Sequence, residues 1–253
     1  ADAFGDTFSR LGYAWVADVH IKLGSAFCIG LYSELGPSFT ADTFYRCGVE
    51  YSAEVHRVLG VQFGTDLYSG AGPEFTSQLF GRNGAGWTGV MFRHLGSTYV
   101  GQLLSSLGQP FIQDMFRIFG FSFLSELFAA MGAEQVADCF SELGESFLSG
   151  LLRSLGVEFC AAVFRALGHD FLGNVFRRLG DQSTARLLRM LSSSFTGRLV
   201  SRLGARTSLG LVAKMGLSSG VRVARGIGVP IISGAAAGCA CGDTGCLPRP
   251  RAK

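Results

Sequence analysis

Apolar and polar residues recur along this chain with a period of twelve, and a glycine opens nearly every period. Numbering each unit from that glycine, position 4 is aromatic from Trp15, Phe27 and Phe39 to Phe171 and Phe195, broken only by Gln135 and Ser183. Position 8 is usually Leu, Val or Met, position 9 usually Phe, and position 12 mostly Leu. The resulting motif, G-x-x-F-x-x-x-L-F-x-x-L, is clearest in 156–167 and 168–179. The glycines stand at Gly12, Gly24, Gly36 and every twelfth residue to Gly180, then at Gly204, Gly216 and Gly228; Ser192 holds the one exceptional slot. An interval this regular is the signature of a repeat array.

At about 100° per residue, positions 4, 8, 12 and 9 share an arc of roughly 140°, with positions 2, 3, 6, 7, 10 and 11 opposite. This predicts an amphipathic helix of about ten residues per unit, roughly 15 Å long. Acids gather at positions 3 and 7 (Glu50, Glu158, Asp42, Asp138) and arginines at 10 and 11 (Arg46, Arg57, Arg117, Arg165). That polarity complements a helix dipole. Asp42–Arg46, Glu54–Arg57 and Asp114–Arg117 have the spacing of pairs within one helix. Pro37 and Pro73 directly follow the glycine, where a first-turn proline is tolerated. Each glycine is expected to stop one helix in a left-handed conformation and turn the chain into the next.

The expected fold is therefore an all-α solenoid of about eighteen short helices with glycine corners. A β-solenoid with twelve-residue coils is the alternative, since Thr, Val and Phe are frequent and Gly89, Gly101, Gly173 and Gly197 fall inside units. Strands call for a period of two, which the pairwise alternation does not have.

A longer period lies behind the short one. Residues 31–47 laid on 67–83 match at 9 of 17 positions, and His20 recurs as His56. Duplication of a 36-residue segment explains this, as does a solenoid with three helices per turn. The expected organisation is a partial unit at 1–11, the repeat array at 12–203, degenerate repeats forming a cap at 204–238, and a Cys-containing basic tail at 239–253.

Composition narrows the function. With 48% hydrophobic and 16% charged residues, the 253-residue chain is not of the disordered, highly charged class. No apolar run reaches the 18 or so residues of a membrane-spanning helix. The chain begins at Ala1 rather than Met, which suggests processing, and no signal-peptide pattern is legible. Net charge is +3, but 1–152 carries 7 basic and 15 acidic residues (−8) and 153–253 carries 15 and 4 (+11). Such asymmetry suggests an electrostatic partner for the basic half, or head-to-tail association of copies.

No nucleophile elbow, phosphate-binding loop or zinc-protease helix is present, so no enzyme and no cofactor is expected. Cys28, Cys47, Cys139 and Cys160 fall on the apolar arc and read as small core residues. Cys239, Cys241 and Cys246 are weak metal candidates, because zinc needs a fourth ligand and no histidine lies nearby. His20 and His56 replace Phe at position 9 and read as core histidines rather than a ligand pair.

The functional lead is the basic half: Arg153, Arg165, Arg177 and Arg189 at position 10, with Arg178, Arg186, Arg198 and Arg202 beside them. Guanidinium groups in such a ridge suit an acidic protein or another anionic surface. Nucleic acid is disfavoured, because aromatics do not interleave on the polar face. The chain reads as a structural scaffold for protein–protein assembly. The alternatives are an amphipathic lipid-surface protein and a β-solenoid surface binder of the ice-binding type.

Overall fold

The computed structural model describes residues 1–216 together with 219 and 220. Among the described residues the chain is helical almost throughout and contains no strand, so the β-solenoid alternative is overturned. The elements are α1 (Asp2–Leu11), α2 (Tyr13–Leu23), α3 (Ser25–Cys47), α4 (Val49–Asn83), α5 (Ala85–Leu95), α6 (Ser97–Leu107), α7 (Gln109–Met131), α8 (Ala133–Leu155), α9 (Val157–Leu179), α10 (Asp181–Met190) and α11 (Ser193–Met215). The longer ones are not straight: α3 bends at Gly36, α4 at Gly60 and Gly72, α7 at Gly120, α8 at Gly144, α9 at Gly168 and α11 at Gly204. The tail 239–253 and most of the expected cap lie outside the described residues.

The corner departs from the expected helix stop. Gly132 has φ 91° and ψ 151°, which is the extended positive-φ region rather than the left-handed helical one. That region is essentially closed to residues with a Cβ. The geometry lets one residue serve two helices: the Gly132 N–H donates to Phe128 O at 3.0 Å, and its own carbonyl accepts from Val136 N at 3.1 Å. No loop residue is spent. The axes of α2 and α3 differ by 107° and those of α7 and α8 by 105°, so the chain changes direction sharply across the breaks at Gly24 and Gly132. Ser192 adopts the same conformation (φ 73°, ψ 152°) despite its Cβ, while its Oγ accepts from Phe195 N at 3.3 Å.

Contacts between elements follow the longer period. Helix α1 packs on α3, α2 on α4, α5 on α7, α6 on α8 and α9 on α11. Position 4 reaches position 9 of the helix forty-three residues earlier: Tyr51 Oη donates to Phe8 O at 2.7 Å, and Tyr99 Oη to His56 O at 3.0 Å. Gln135, which breaks the aromatic series, makes the same contact, donating to Phe92 O at 2.5 Å.

Position 6, expected on the polar side, is instead buried at Gly5, Ala17, Ala41, Ala53, Gly89, Gly101, Ala137 and Ala161. It is small because a neighbouring helix crosses there. A Cβ on Gly89 would lie 2.6 Å from Leu127 O and 2.5 Å from Ala130 Cβ, and one on Gly101 would lie 2.5 Å from Glu142 Cβ.

The charges also pair differently from expectation. Glu54–Arg57 forms within its helix. Asp42 and Arg46, however, each turn to another helix: Arg82 grips Asp42 through two bonds of 2.6 and 2.9 Å, and Arg46 Nε meets Asp6 at 2.9 Å. Arg117 donates to Ser154 O instead of pairing with Asp114. Arg178 repeats the bidentate contact on Asp138 at 2.9 and 3.0 Å. In each Asp–Arg case position 11 meets position 7 forty residues earlier. These pairs are exposed, so each adds little to stability and more to register.

Candidate partner interface and axial aromatic column

Position 9 points to the centre. Phe8, His20, Tyr32, Phe44, His56, Tyr68, Phe80 and Phe92 form an unbroken column of rings, each in contact with the ring twelve residues on at centroid separations of 5.6–6.4 Å. Both histidines are buried in it, as expected of core residues. His56 Nδ1 lies 2.7 Å from Ser52 O. A carbonyl only accepts, so Nδ1 carries the proton and Nε2 accepts from Tyr68 Oη at 2.5 Å. His20 makes the same pair of contacts with Val16 O and Tyr32 Oη. Burial pushes both imidazoles below their ordinary pKa and both tyrosines above theirs. The rings are therefore neutral hydrogen-bonding parts, with both nitrogens of each imidazole engaged. The tyrosine partners were missed by sequence reading, although Tyr32 and Tyr68 recur at 36 just as the histidines do.

Cys28, Cys139 and Cys160 are buried and Cys47 half-buried, and all four thiols are free. Cys47 Sγ contacts Gly5 O at 3.5 Å and Cys160 Sγ contacts Leu152 O at 3.5 Å. Burial raises the Cys139 and Cys160 thiols to about 12. Such thiols stay protonated and unreactive. Among the described residues no group of three His, Cys, Asp or Glu is placed to hold a metal ion; Cys239, Cys241 and Cys246 lie outside them. Also among the described residues, no single helix is long and apolar enough to cross a membrane.

The eight arginines of the basic half do not act alike. Arg178 is engaged by Asp138, Arg202 by Glu158 at 2.8 Å and Arg186 by Glu145 at 3.9 Å. Arg153, Arg165 and Arg189 each turn Nε back to the carbonyl four residues earlier, at 3.2–3.3 Å. Arg177 donates to Asn174 Oδ1 at 2.8 Å. The fold gathers three of the eight: Arg153, Arg198 and Arg202 line one open cleft of about 550 Å³ with Val157, Glu158 and Phe195. The cleft begins at the Gly156 corner, where α9 starts. Three guanidinium groups face one carboxylate there, and the positive end of α9 adds to the field. The other five arginines lie outside this cleft.

Comparison with protein-family models, with curated proteins and with solved structures gives no match for this chain.

Proposed function

We propose that this chain is a non-enzymatic structural scaffold, an α-helical solenoid with three helices to a turn that presents regular faces to partner proteins. The observation that carries the reading is the constant offset of its contacts. Position 4 to 9 contacts recur at forty-three residues and Asp–Arg pairs at forty, from the first elements to α9. A stack of identical turns is rigid and extended, and its corners spend no residues on loops where catalytic groups usually sit. Burial of the position 9 column favours this reading over the lipid-surface alternative, in which those rings would face acyl chains.

The partner contact fits the cleft of Arg153, Arg198 and Arg202, and its chemistry suits an acidic protein segment. Head-to-tail stacking of copies, acidic half against basic half, is set second because only the charge asymmetry of the sequence supports it.

Fluorescence anisotropy with a labelled oligoglutamate peptide tests the interface. Binding should weaken steeply with salt and fall at least tenfold on joint replacement of Arg153, Arg198 and Arg202 by Gln. Equal binding by the triple variant would remove the assignment. Light scattering at low salt addresses assembly, and a filament growing with concentration would reinstate head-to-tail stacking.

A further inference from the structure

The two histidine–tyrosine pairs share one geometry and one location. Both sit in the aromatic column, 36 residues apart, within 13–71. In both, the histidine spends its only N–H on its own helix and offers its only lone pair to the tyrosine. Protonation turns that lone pair into a second donor facing a hydroxyl. The hydroxyl must then rotate its hydrogen away into apolar surroundings, where an unpaired donor is costly.

Among the described residues no carboxylate faces either ring to compensate. The His20 ring is met by Phe8 from α1 and by Tyr32 from α3, while the Cys28 thiol reaches the His20 backbone carbonyl. His56 is met by Phe44 from α3, by Tyr68 from its own bent element, and by Tyr99 of α6, whose hydroxyl already donates to the His56 carbonyl, and the like charge of His20 on α2 opposes its protonation further. Across α7–α9 the same axial position holds Phe116, Phe128, Phe140, Leu152, Phe164 and Phe176, which do not titrate.

We infer that the N-terminal turns form an acid-sensitive segment that opens in mildly acidic solution while α7–α9 stay closed. The sign follows from where protons bind. The opened segment takes up two protons below the ordinary histidine value near 6.5, and the closed segment resists them. Closure is therefore complete above about pH 6.5 and is lost as pH falls through the depressed folded values. Each histidine contributes up to about a tenfold gain in the opening constant per pH unit, so the pair contributes up to about a hundredfold. The Asp6–Arg46 and Asp42–Arg82 pairs do not produce this response, because the arginine hydrogen bonds hold both carboxyls below the ordinary carboxylate range.

Hydrogen exchange of the full chain from pH 7.5 to 5, corrected for intrinsic rates, tests it. The variants carry His20→Phe with Tyr32→Phe, and His56→Phe with Tyr68→Phe, since Phe already fills this position at Phe44 and Phe80. The unaltered chain should lose protection in 13–71 as pH falls below 6.5 and keep it in 109–179, while the quadruple variant keeps both. Uniform loss along the chain, or equal loss in the variant, would overturn the inference. If the variant fails to fold, imidazole ¹⁵N shifts in the unaltered chain decide. Both rings titrating near 6.5 with protection intact would sink the idea, and neutral rings that charge only as protection disappears would support it.

Discussion

The axis of the N-terminal half and the axis of the C-terminal half run through the same backbone and are filled differently. From Phe8 to Phe92 every axial position carries a ring touching the next, and two of the contacts are hydrogen-bonded. Beyond Phe92 the column is interrupted at Leu104, Leu152 and Leu188, and apolar cavities of about 30 and 80 Å³ open around those positions. Corners, small position 6 residues and the turn-to-turn contacts are common to both halves. The fold therefore rests on corners and stacking, and the axis tolerates any apolar filling of adequate volume. What the polar pairs add is identity: a histidine must meet a tyrosine twelve residues on, which ties that half to the 36-residue register.

The largest effect should come from emptying the tighter axis. Phe80→Ala is expected to cost about 3–5 kcal/mol, with Leu152→Ala near 2 because its surroundings are already loosely packed. Urea unfolding of both variants checks the contrast, and equal losses would erase the distinction between the halves. Next comes Tyr68→Phe, which keeps the ring but strips the buried His56 Nε2 of its donor, at about 1–3 kcal/mol. Adding His56→Phe should restore most of the loss, because the orphaned acceptor is gone. The smallest effect runs the other way: Leu152→Phe rejoins the column between Phe140 and Phe164 and should stabilise by about 0.5–1.5 kcal/mol through cavity filling. A loss from Leu152→Phe would mean that the cavity walls cannot admit the ring.

Much of this was legible in the chain. The glycine interval marked the corners, the apolar arc marked the helices, and burial of Cys28, Cys160, His20 and His56 followed from their places on that arc. A helical wheel failed where a helix has more than one neighbour. It placed position 6 in solvent because it assumes one buried face, whereas a helix between two others is also contacted from its sides. Gly5, Gly89 and Gly101 carried the clue, since small residues mark close approach. The same assumption kept Asp42 and Arg46 on one helix, although Asp6, Asp42, Arg46 and Arg82 repeat at intervals that join different helices. The corner's extended ψ was not legible, because glycine admits both positive-φ regions and sequence does not distinguish them.

Turn-on-turn stacking is the claim on which everything else depends, and disulfide trapping reads it directly. In a background with all seven native cysteines replaced by Ala or Ser, Gly89→Cys combined with Ala130→Cys places two thiols across a close helix contact, forty-one residues apart. A parting of about 1 Å accommodates the bond. Rapid, near-complete crosslinking of this pair is expected under mild oxidation, and little crosslinking when Gly89→Cys is combined with Ile118→Cys or Glu142→Cys, roughly one unit to either side. Equal yields from all three pairs, or a preference for either shifted pair, would contradict turn-on-turn stacking.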